Sequence, residues 1–371
     1  MTRSRRTRGR GLRVLTLAVG FLAGAAAVVR PDALVITQAM TATTISEIFV
    51  EDDHVRLELE IGIPDLNGFR HLLPDEIYTR LGHAPAPLAE RLPRFFVDDF
   101  VIRPDGGAPL VGRLEHMEAR PRVRRDQVTG EPLPVAEEDD PELVVFARIV
   151  YPLNRRPMSM AVGLPQTAAG PSASIGFVLY HQGLPVNDFR YLGREEVVRF
   201  DWEDPWFSKF DNRNLWRQYN VPVSAFLYVE PYEVRKEIVV RPRDLEAWVD
   251  LGLAGDEVIT VAEQPEIKRR VVEFLADRNP VTIDGEPAEG RLDRVHFIYR
   301  NLRTSGVINP PQDLEAVSAT LGVIFYYPVN GLPQEVAMEW ELFNDTLQYI
   351  PSSATDEAGP LPYRLTPDDR V

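Results

Sequence analysis

The chain has 371 residues, of which 44% are hydrophobic and 26% are charged, a balance typical of globular domains rather than of disordered segments. It contains no cysteine, which excludes disulfides, cysteine-ligated metals and a membrane anchor attached through cysteine. The formal net charge of −15 disfavours binding to nucleic acid or to anionic lipid.

The N-terminal residues have the pattern of a secretory signal. Six arginines precede an apolar run of 16 residues at 14–29, and small residues suited to cleavage lie at 25–27. The run is shorter than the stretch of about 20 residues that a membrane-spanning helix needs. We therefore predict a signal peptide at 1–27 and a periplasmic or secreted protein, with an uncleaved N-terminal membrane anchor as the alternative.

The rest of the chain contains an internal repeat. Residues 50–106 and 229–285, aligned without gaps, share 13 identities in 57 positions. Unrelated sequences share roughly 6%. Many of the differences exchange one apolar residue for another, as packed positions tolerate. Further matching blocks follow in the same order, so we predict repeat domain 1 at 40–165 and repeat domain 2 at 219–345, followed by a C-terminal tail at 346–371.

Each repeat begins with the pattern of a β-hairpin. In the first copy, the strands are predicted at 45–50 and 55–61, and the second of them alternates apolar with charged residues. The second copy has the same pair of strands at 223–229 and 234–240. Alternation of this kind predicts a half-buried sheet with one face in contact with solvent.

Two helices are predicted after each hairpin. Asp65 and Asp244 lie where the N-cap of a short amphipathic helix is expected. A second helix follows, with apolar residues at helical spacing from Leu88 in the first copy and from Ile267 in the second. Pro93 lies in the middle of the first of these helices and is expected to strain it.

The strongest strand patterns come late in each repeat, at 143–151, 319–327 and 335–342. Each copy therefore has the predicted order β-β-α-α-β-β-β. We predict a β-rich α+β fold with two tandem homologous domains, each of which is a mostly antiparallel sheet with two short helices. The alternative is a pair of immunoglobulin-like sandwiches with helical insertions.

Several polar residues occur at equivalent positions in the two copies. The simpler interpretation is structural, as helix caps and as ion pairs that join helix to sheet; the functional interpretation is a binding site that is present twice. These repeat-structural positions are Arg56, Glu58 and Asp65 in the first copy and Arg235, Glu237 and Asp244 in the second.

Residues 166–218 have no counterpart in the repeat and are predicted to form an aromatic-rich connecting segment. Aromatic side chains can stack on sugars or anchor a protein partner. They could equally fill the seam between the two copies. The predicted partner-binding residues are Trp202, Trp206, Phe207, Phe210, Trp216 and Tyr219.

The sequence lacks the motifs of common catalytic and metal centres. The six histidines have no zinc-ligand spacing, and no nucleophile elbow or phosphate-binding loop is present. We predict no catalytic residue, no metal and no cofactor. The predicted function is that of an exported, non-enzymatic binding or scaffold protein.

Its expected partner is a protein or a glycan, without nucleic acid, and it would meet a membrane only through 14–29 if that run is uncleaved. One alternative is a secreted hydrolase that acts in the groove between the repeats. The other is a membrane-tethered accessory subunit of an envelope complex.

Overall fold

The computed structural model describes residues 38–126, 133, 142–253, 255, 257–300 and 305–371. The predicted signal peptide and the possible anchor at 14–29 lie outside these residues. Strands make up 42% of the structure and helices 16%, which confirms the prediction of a sheet-rich protein. In the part of the chain that is described, we find no helix with the length and apolar character needed to cross a bilayer.

We use "first half" for residues 38–218 and "second half" for 219–371. The strands of the first half are β1 (Thr44–Val50), β2 (His54–Gly62), β3 (Val101–Pro104), β4 (Arg113–Pro121), β5 (Leu143–Pro152), β6 (Ser159–Gly163), β7 (Gln166–Thr167), β8 (Gly170–Pro171), β9 (Ile175–His181), β10 (Leu184–Pro185), β11 (Arg190–Leu192), β12 (Glu196–Arg199) and β13 (Lys209–Phe210).

The second half continues the same numbering. Its strands are β14 (Val223–Val229), β15 (Glu233–Val240), β16 (Val258–Ile259), β17 (Val281–Ile283), β18 (Glu286–Ala288), β19 (Arg291–Arg300), β20 (Ser305–Val307), β21 (Leu314–Glu315), β22 (Thr320–Pro328), β23 (Val336–Met338), β24 (Ile350–Asp356) and β25 (Gly359–Leu365).

Helices are few and short. The α-helices are α1 (Asp75–Arg80), α2 (Leu88–Arg94), α3 (Pro242–Leu245) and α4 (Gln264–Ala276). A π-helical turn at Phe95–Asp99 follows α2. The 3-10 turns lie at Gln38–Thr41, Ile63–Phe69, Pro205–Phe207 and Arg213–Leu215.

A seven-stranded sheet dominates each half. The first has the order β10-β9-β1-β2-β5-β4, with β11 also paired to β9, and the second has the order β20-β19-β22-β15-β14-β24-β25. Each sheet contains a hairpin, β1–β2 or β14–β15, whose first strand pairs in parallel with a later strand, β9 or β24. The hairpin's second strand pairs antiparallel with β5 or β22, which in turn pairs with β4 or β19.

Smaller features also correspond between the halves. A β-bulge interrupts the β4–β5 pair and another interrupts the β19–β22 pair, one residue after Leu114 and Leu292 respectively. Asp105 and Asp284 both adopt positive φ, at 49° and 50°, and each is followed by a glycine with positive φ. The carboxylate of each aspartate accepts two backbone N–H groups from the chain that enters the facing strand.

Sheet pairing extends beyond the bounds predicted for the repeats. Strand β9 lies in the predicted connecting segment, and β24 and β25 lie in the predicted C-terminal tail. The described residues also form a four-stranded sheet, β13-β12-β6-β3, a three-stranded sheet, β18-β17-β23, and the two-stranded pairs β16-β21 and β7-β8. Each half has its own hydrophobic core, the first made from residues between Ile48 and Leu215 and the second from residues between Val221 and Leu365.

The prediction that Asp65 and Asp244 are N-caps is wrong. The turn that contains Asp65 begins at Ile63, after Gly62, and helix α3 begins at Pro242 after Arg241. A proline near the start of each turn sets the helical φ early, so each aspartate falls inside the turn rather than before it.

The predicted strand at 335–342 is also too long, because pairing ends with Met338. The backbone N–H of Trp340 bonds to the carbonyl oxygen of Arg370 at 2.8 Å instead of to a neighbouring strand. Its indole is completely buried and donates to the carbonyl oxygen of Leu342 at 2.9 Å. Burial of this large ring therefore turns the chain away from the sheet.

Candidate functional site

Three of the predicted partner-binding aromatics are tied into the first half. The indole N–H of Trp202 donates to the carbonyl oxygen of Pro157, and that of Trp216 donates to the carbonyl oxygen of Phe210, both at 2.7 Å. Phe210 is completely buried and packs edge-on against Phe177, with ring centroids 5.7 Å apart. These contacts give the three side chains a clear role in packing.

Trp206 lies between two guanidinium groups. The central carbon of Arg217 is 4.0 Å from the centre of its ring, and that of Arg241 is 4.9 Å away. Phe207 is also close to Arg241, at 5.3 Å. The indole nitrogen of Trp206 is buried and finds no hydrogen-bond partner among the residues that the structure describes. Stacking of arginine on aromatic faces stabilises such arrangements electrostatically.

Arg241 joins the connecting segment to the second half. It is only 1% exposed, and its guanidinium donates to Asp204 at 2.6 and 3.0 Å, to Asp244 and to the carbonyl oxygen of Val317 at 3.0 Å. Two carboxylates therefore satisfy one buried cation, as a buried charge requires. The equivalent position in the first half is Gly62, so this junction is particular to the second half.

A pocket of about 510 Å³ lies between the two halves, and residues of both halves line it. We call it the seam pocket. Trp206 and Tyr219 of the predicted aromatic set belong to its lining. Its apolar walls come from the first half through Tyr180, Leu184 and Phe189, and from the second half through Ile298, Tyr299 and Leu314.

Two arginines line the seam pocket. Arg217 is 9% exposed and donates to the carbonyl oxygens of Pro185 at 2.8 Å and of Trp206 at 2.7 Å. Burial lowers the pKa of Arg217 to about 10, and the nearby positive charges of Arg241 and Arg300 act in the same direction. Arg300 stacks over the ring of Tyr219 at 4.6 Å, and burial lowers its pKa as well.

Trp206 also lines a smaller pocket of about 160 Å³, together with Phe207, Ser208 and Trp216. Ser208 bonds through its hydroxyl to Nδ1 of His181 at 2.7 Å and accepts the backbone N–H of Asp201 at 3.0 Å. His181 is completely buried, and burial lowers its pKa to about 4, so it is neutral at pH 7.

The repeat-structural residues of the first hairpin lie on the outer face of the large sheet. Arg56 stacks on Phe49 at 3.8 Å and pairs with Glu58, which also accepts from Nε of Arg148 at 2.9 Å. The structure thus brings Arg56 and Glu58 together in a cross-strand network. None of these residues lines the seam pocket.

The second hairpin keeps the stacking but not the ion pair. Arg235 lies 5.2 Å from the ring of Tyr228, which is the equivalent of Phe49, and it pairs with Glu230 at 2.7 Å. Glu237 accepts instead from the hydroxyl of Tyr228 at 3.2 Å. The two halves therefore share an arginine–aromatic stack and differ in the carboxylate that each arginine uses.

Asp65 and Asp244 also have different partners. Asp65 accepts from the hydroxyls of Thr43 and Thr44, the latter at 2.7 Å, and from the backbone N–H of Ser174 at 3.3 Å. It ties the start of β1 to the start of β9. Asp244 pairs with Arg241, the residue that joins the connecting segment to the second half.

Sequence reasoning missed Arg217, Arg300 and His181. The only sequence signal was the position of Arg217 within the aromatic-rich segment, since no motif surrounds Arg300 or His181. It also missed a buried pair in the first core, where Nδ1 of His71 lies 2.7 Å from Asp99 and burial raises the pKa of that carboxyl. This pair does not line the seam pocket.

Within the described ranges, we find no group of three or more histidine, aspartate or glutamate side chains that could hold a metal ion. Searches against protein-family models and curated proteins find no match for this chain.

Proposed function

We propose that the chain is a non-enzymatic binding protein built from an internal duplication, and that it recognises its partner at the seam pocket. The observation that carries the proposal is the pocket itself. Its volume of about 510 Å³ falls within the range of roughly 300–1,000 Å³ that is usual for ligand sites. Apolar walls with a few convergent polar groups are also typical of such sites.

The duplication is supported by the strand order that the two large sheets share. The order β9-β1-β2-β5-β4 corresponds to β24-β14-β15-β22-β19, with the same parallel pair and an equivalent bulge. Two unrelated segments would rarely arrive at the same order of long-range strand pairings by chance. We propose that each half is one α+β unit, because helical residues such as Phe96 and Val271 fill the cores of the two halves.

A site between two copies explains why the connecting segment is aromatic. Trp206 packs between Arg217 and Arg241 and lines the pocket, so it contributes both to the seam and to the cavity. The two interpretations of the aromatic residues, filling the seam and binding a partner, therefore need not compete. A protein or a glycan stays our predicted partner, and a pocket of this volume also admits a small organic molecule.

The test uses two tyrosines of matched exposure. Tyr299 is 46% exposed and lines the pocket, whereas Tyr363 is 48% exposed and does not. The protein is screened by thermal shift against glycans, peptides and small organic acids. We expect a ligand whose stabilisation disappears in Tyr299→Ala and persists in Tyr363→Ala. Equal responses in both variants, or no response in the panel, would count against recognition at this pocket.

The hydrolase alternative rests on one observation, the hydrogen bond between Ser208 and His181 beside the smaller pocket. A serine bonded to a neutral imidazole is the arrangement that activates a nucleophile. Substitution Ser208→Ala should abolish any turnover of ester, peptide or glycan substrates. Turnover that survives in this variant would exclude Ser208 as the nucleophile.

Export and membrane tethering depend on residues 1–29, outside the described part of the chain. We propose a periplasmic or secreted protein, with a tethered accessory subunit as the alternative. Fractionation of the producing cells and N-terminal sequencing of the mature protein would distinguish a cleaved signal from a retained anchor.

A further inference from the structure

Among the described residues, the two arginines that line the seam pocket have no carboxylate as a direct partner. Arg217 hydrogen-bonds only to carbonyl oxygens, and Arg300 contacts the face of Tyr219. Over the residues that the structure describes, neither arginine forms an ion pair with a carboxylate within 4.0 Å. Burial of a cation without a directly paired counter-ion costs free energy. An anion bound in the pocket would offset part of that free energy by pairing with the cation.

Three carboxylates line the pocket, and two of them accept backbone N–H groups. The charge of Asp188 also attracts Arg217, without a direct hydrogen bond between the two side chains. Asp188 accepts the backbone N–H of Gln218 at 2.9 Å and contacts Arg190 at 3.4 Å. Asp313 accepts the backbone N–H of Val261 at 2.8 Å. Glu315 is exposed, so its charge is screened by solvent more strongly than that of the buried Arg217.

The rest of the lining favours a flat apolar ligand. Trp206, Tyr219 and Tyr299 present aromatic surface to the cavity, and Ile298 and Leu314 add aliphatic surface. Aromatic side chains bury large apolar areas and stack well on planar groups. The guanidinium is itself a planar donor that can bind a carboxylate through two parallel hydrogen bonds.

We propose that the seam pocket binds an organic anion with a flat apolar body, whose carboxylate is held by Arg300 and Arg217. This inference rests on the proposed recognition at the same pocket and specifies the chemical class of the ligand. The apolar body packs between the aromatic residues of the two halves. The carboxylate gives the two arginines an acceptor at hydrogen-bond distance, in addition to the more distant charges of Asp188 and Glu237.

The test compares 2-naphthoate with its neutral analogue 2-naphthamide by isothermal titration calorimetry on the folded protein. We expect 2-naphthoate to bind at least tenfold more tightly. Substitution Arg300→Gln should remove this preference by weakening 2-naphthoate alone, while Arg300→Lys should retain part of it. The matched control is Arg294→Gln, on the same strand, where the arginine pairs with its neighbour Asp293 outside the pocket.

Equal affinity for the two probes, tighter binding of the amide, or no binding of either would overturn the inference. A charge preference that survives Arg300→Gln but is lost in Arg294→Gln would also overturn it. These outcomes leave the proposed function separately testable, because the comparison of Tyr299→Ala with Tyr363→Ala does not depend on the charge of the ligand. Circular dichroism of each variant verifies that it remains folded.

Discussion

Lys236 and Leu57 lie at equivalent positions of the two large sheets, on β15 and β2, and both are buried. Leu57 belongs to an apolar core that also contains Phe100. The residue equivalent to Phe100 is Asn279, and Lys236 donates to its carbonyl oxygen at 2.9 Å and to that of Arg278 at 3.1 Å. One half thus fills this position with hydrocarbon, and the other fills it with a buried amine.

The comparison teaches that at this position the buried charge of Lys236 depends on partners that the backbone of the second half supplies. Helix α4 is followed by a turn in which Asn279 adopts φ of 53°, and this turn directs two carbonyl oxygens at Lys236. The rings of Phe325 and Tyr327 lie 5.2 and 5.9 Å from the amine. In the first half the helix ends in a π-helical turn before the buried Phe100.

The largest effect is expected from Leu57→Lys. The new amine would be buried in an apolar core without the carbonyl oxygens that serve Lys236, so the free energy of unfolding should fall by about 4 kcal/mol or more. Urea denaturation followed by circular dichroism measures the change. The control Leu57→Met should cost less than about 1.5 kcal/mol. If Leu57→Lys lowers the free energy of unfolding no more than the control does, the first half accepts a buried amine as well as the second half, and the proposed difference is wrong.

A smaller loss is expected from Lys236→Leu. Leucine fits the position in the first half, but here the carbonyl oxygens of Arg278 and Asn279 would lose a donor. Unpaired buried polar groups cost about 1–3 kcal/mol. The same denaturation experiment applies, with the less buried Lys268→Leu as its control. An increase in stability would mean that desolvation of the amine outweighs its hydrogen bonds.

Acid should weaken the first half through His181. Burial lowers its pKa from 6.5 to about 4, so the unfolded chain binds the proton first as the pH falls. Stability should decrease by about 1.5 kcal/mol between pH 6.5 and pH 5. The substitution His181→Asn should remove this part of the pH dependence, whereas His116→Asn, at an exposed histidine, should leave it. Parallel curves for wild type and His181→Asn would contradict the assignment.

Alkali should strengthen the second half through Lys236. Burial lowers its pKa from 10.5 to about 8, so above pH 8 the unfolded chain holds the proton that the folded chain has released. Relative to Lys236→Met, the wild type should gain about 1 kcal/mol of stability from pH 8 to pH 9. A constant difference between the two proteins over this range would show that the amine has an ordinary pKa.

The sequence was sufficient to locate the two hairpins, to within one residue at each end, and insufficient to predict the seam pocket. The alternation of apolar and charged residues located β2 at His54–Gly62 to within one residue at each end, because period-2 burial is a local property. Arg217 and Arg300 line the same pocket because β19 and the connecting segment are adjacent in space. No local sequence pattern predicts that two segments so far apart in the chain are neighbours. The partners of Asp65 lie as far away as Ser174, so its role also depends on tertiary structure.

The central claim is that one ligand contacts both halves at the seam pocket. The most direct measurement is the affinity of 2-naphthoate for Leu184→Ala and Tyr299→Ala, which remove surface from the wall of the first half and of the second half respectively. We predict that each substitution weakens binding at least fivefold, while Tyr363→Ala binds like the wild type. If either wall can be truncated without loss of affinity, the site does not span the two halves.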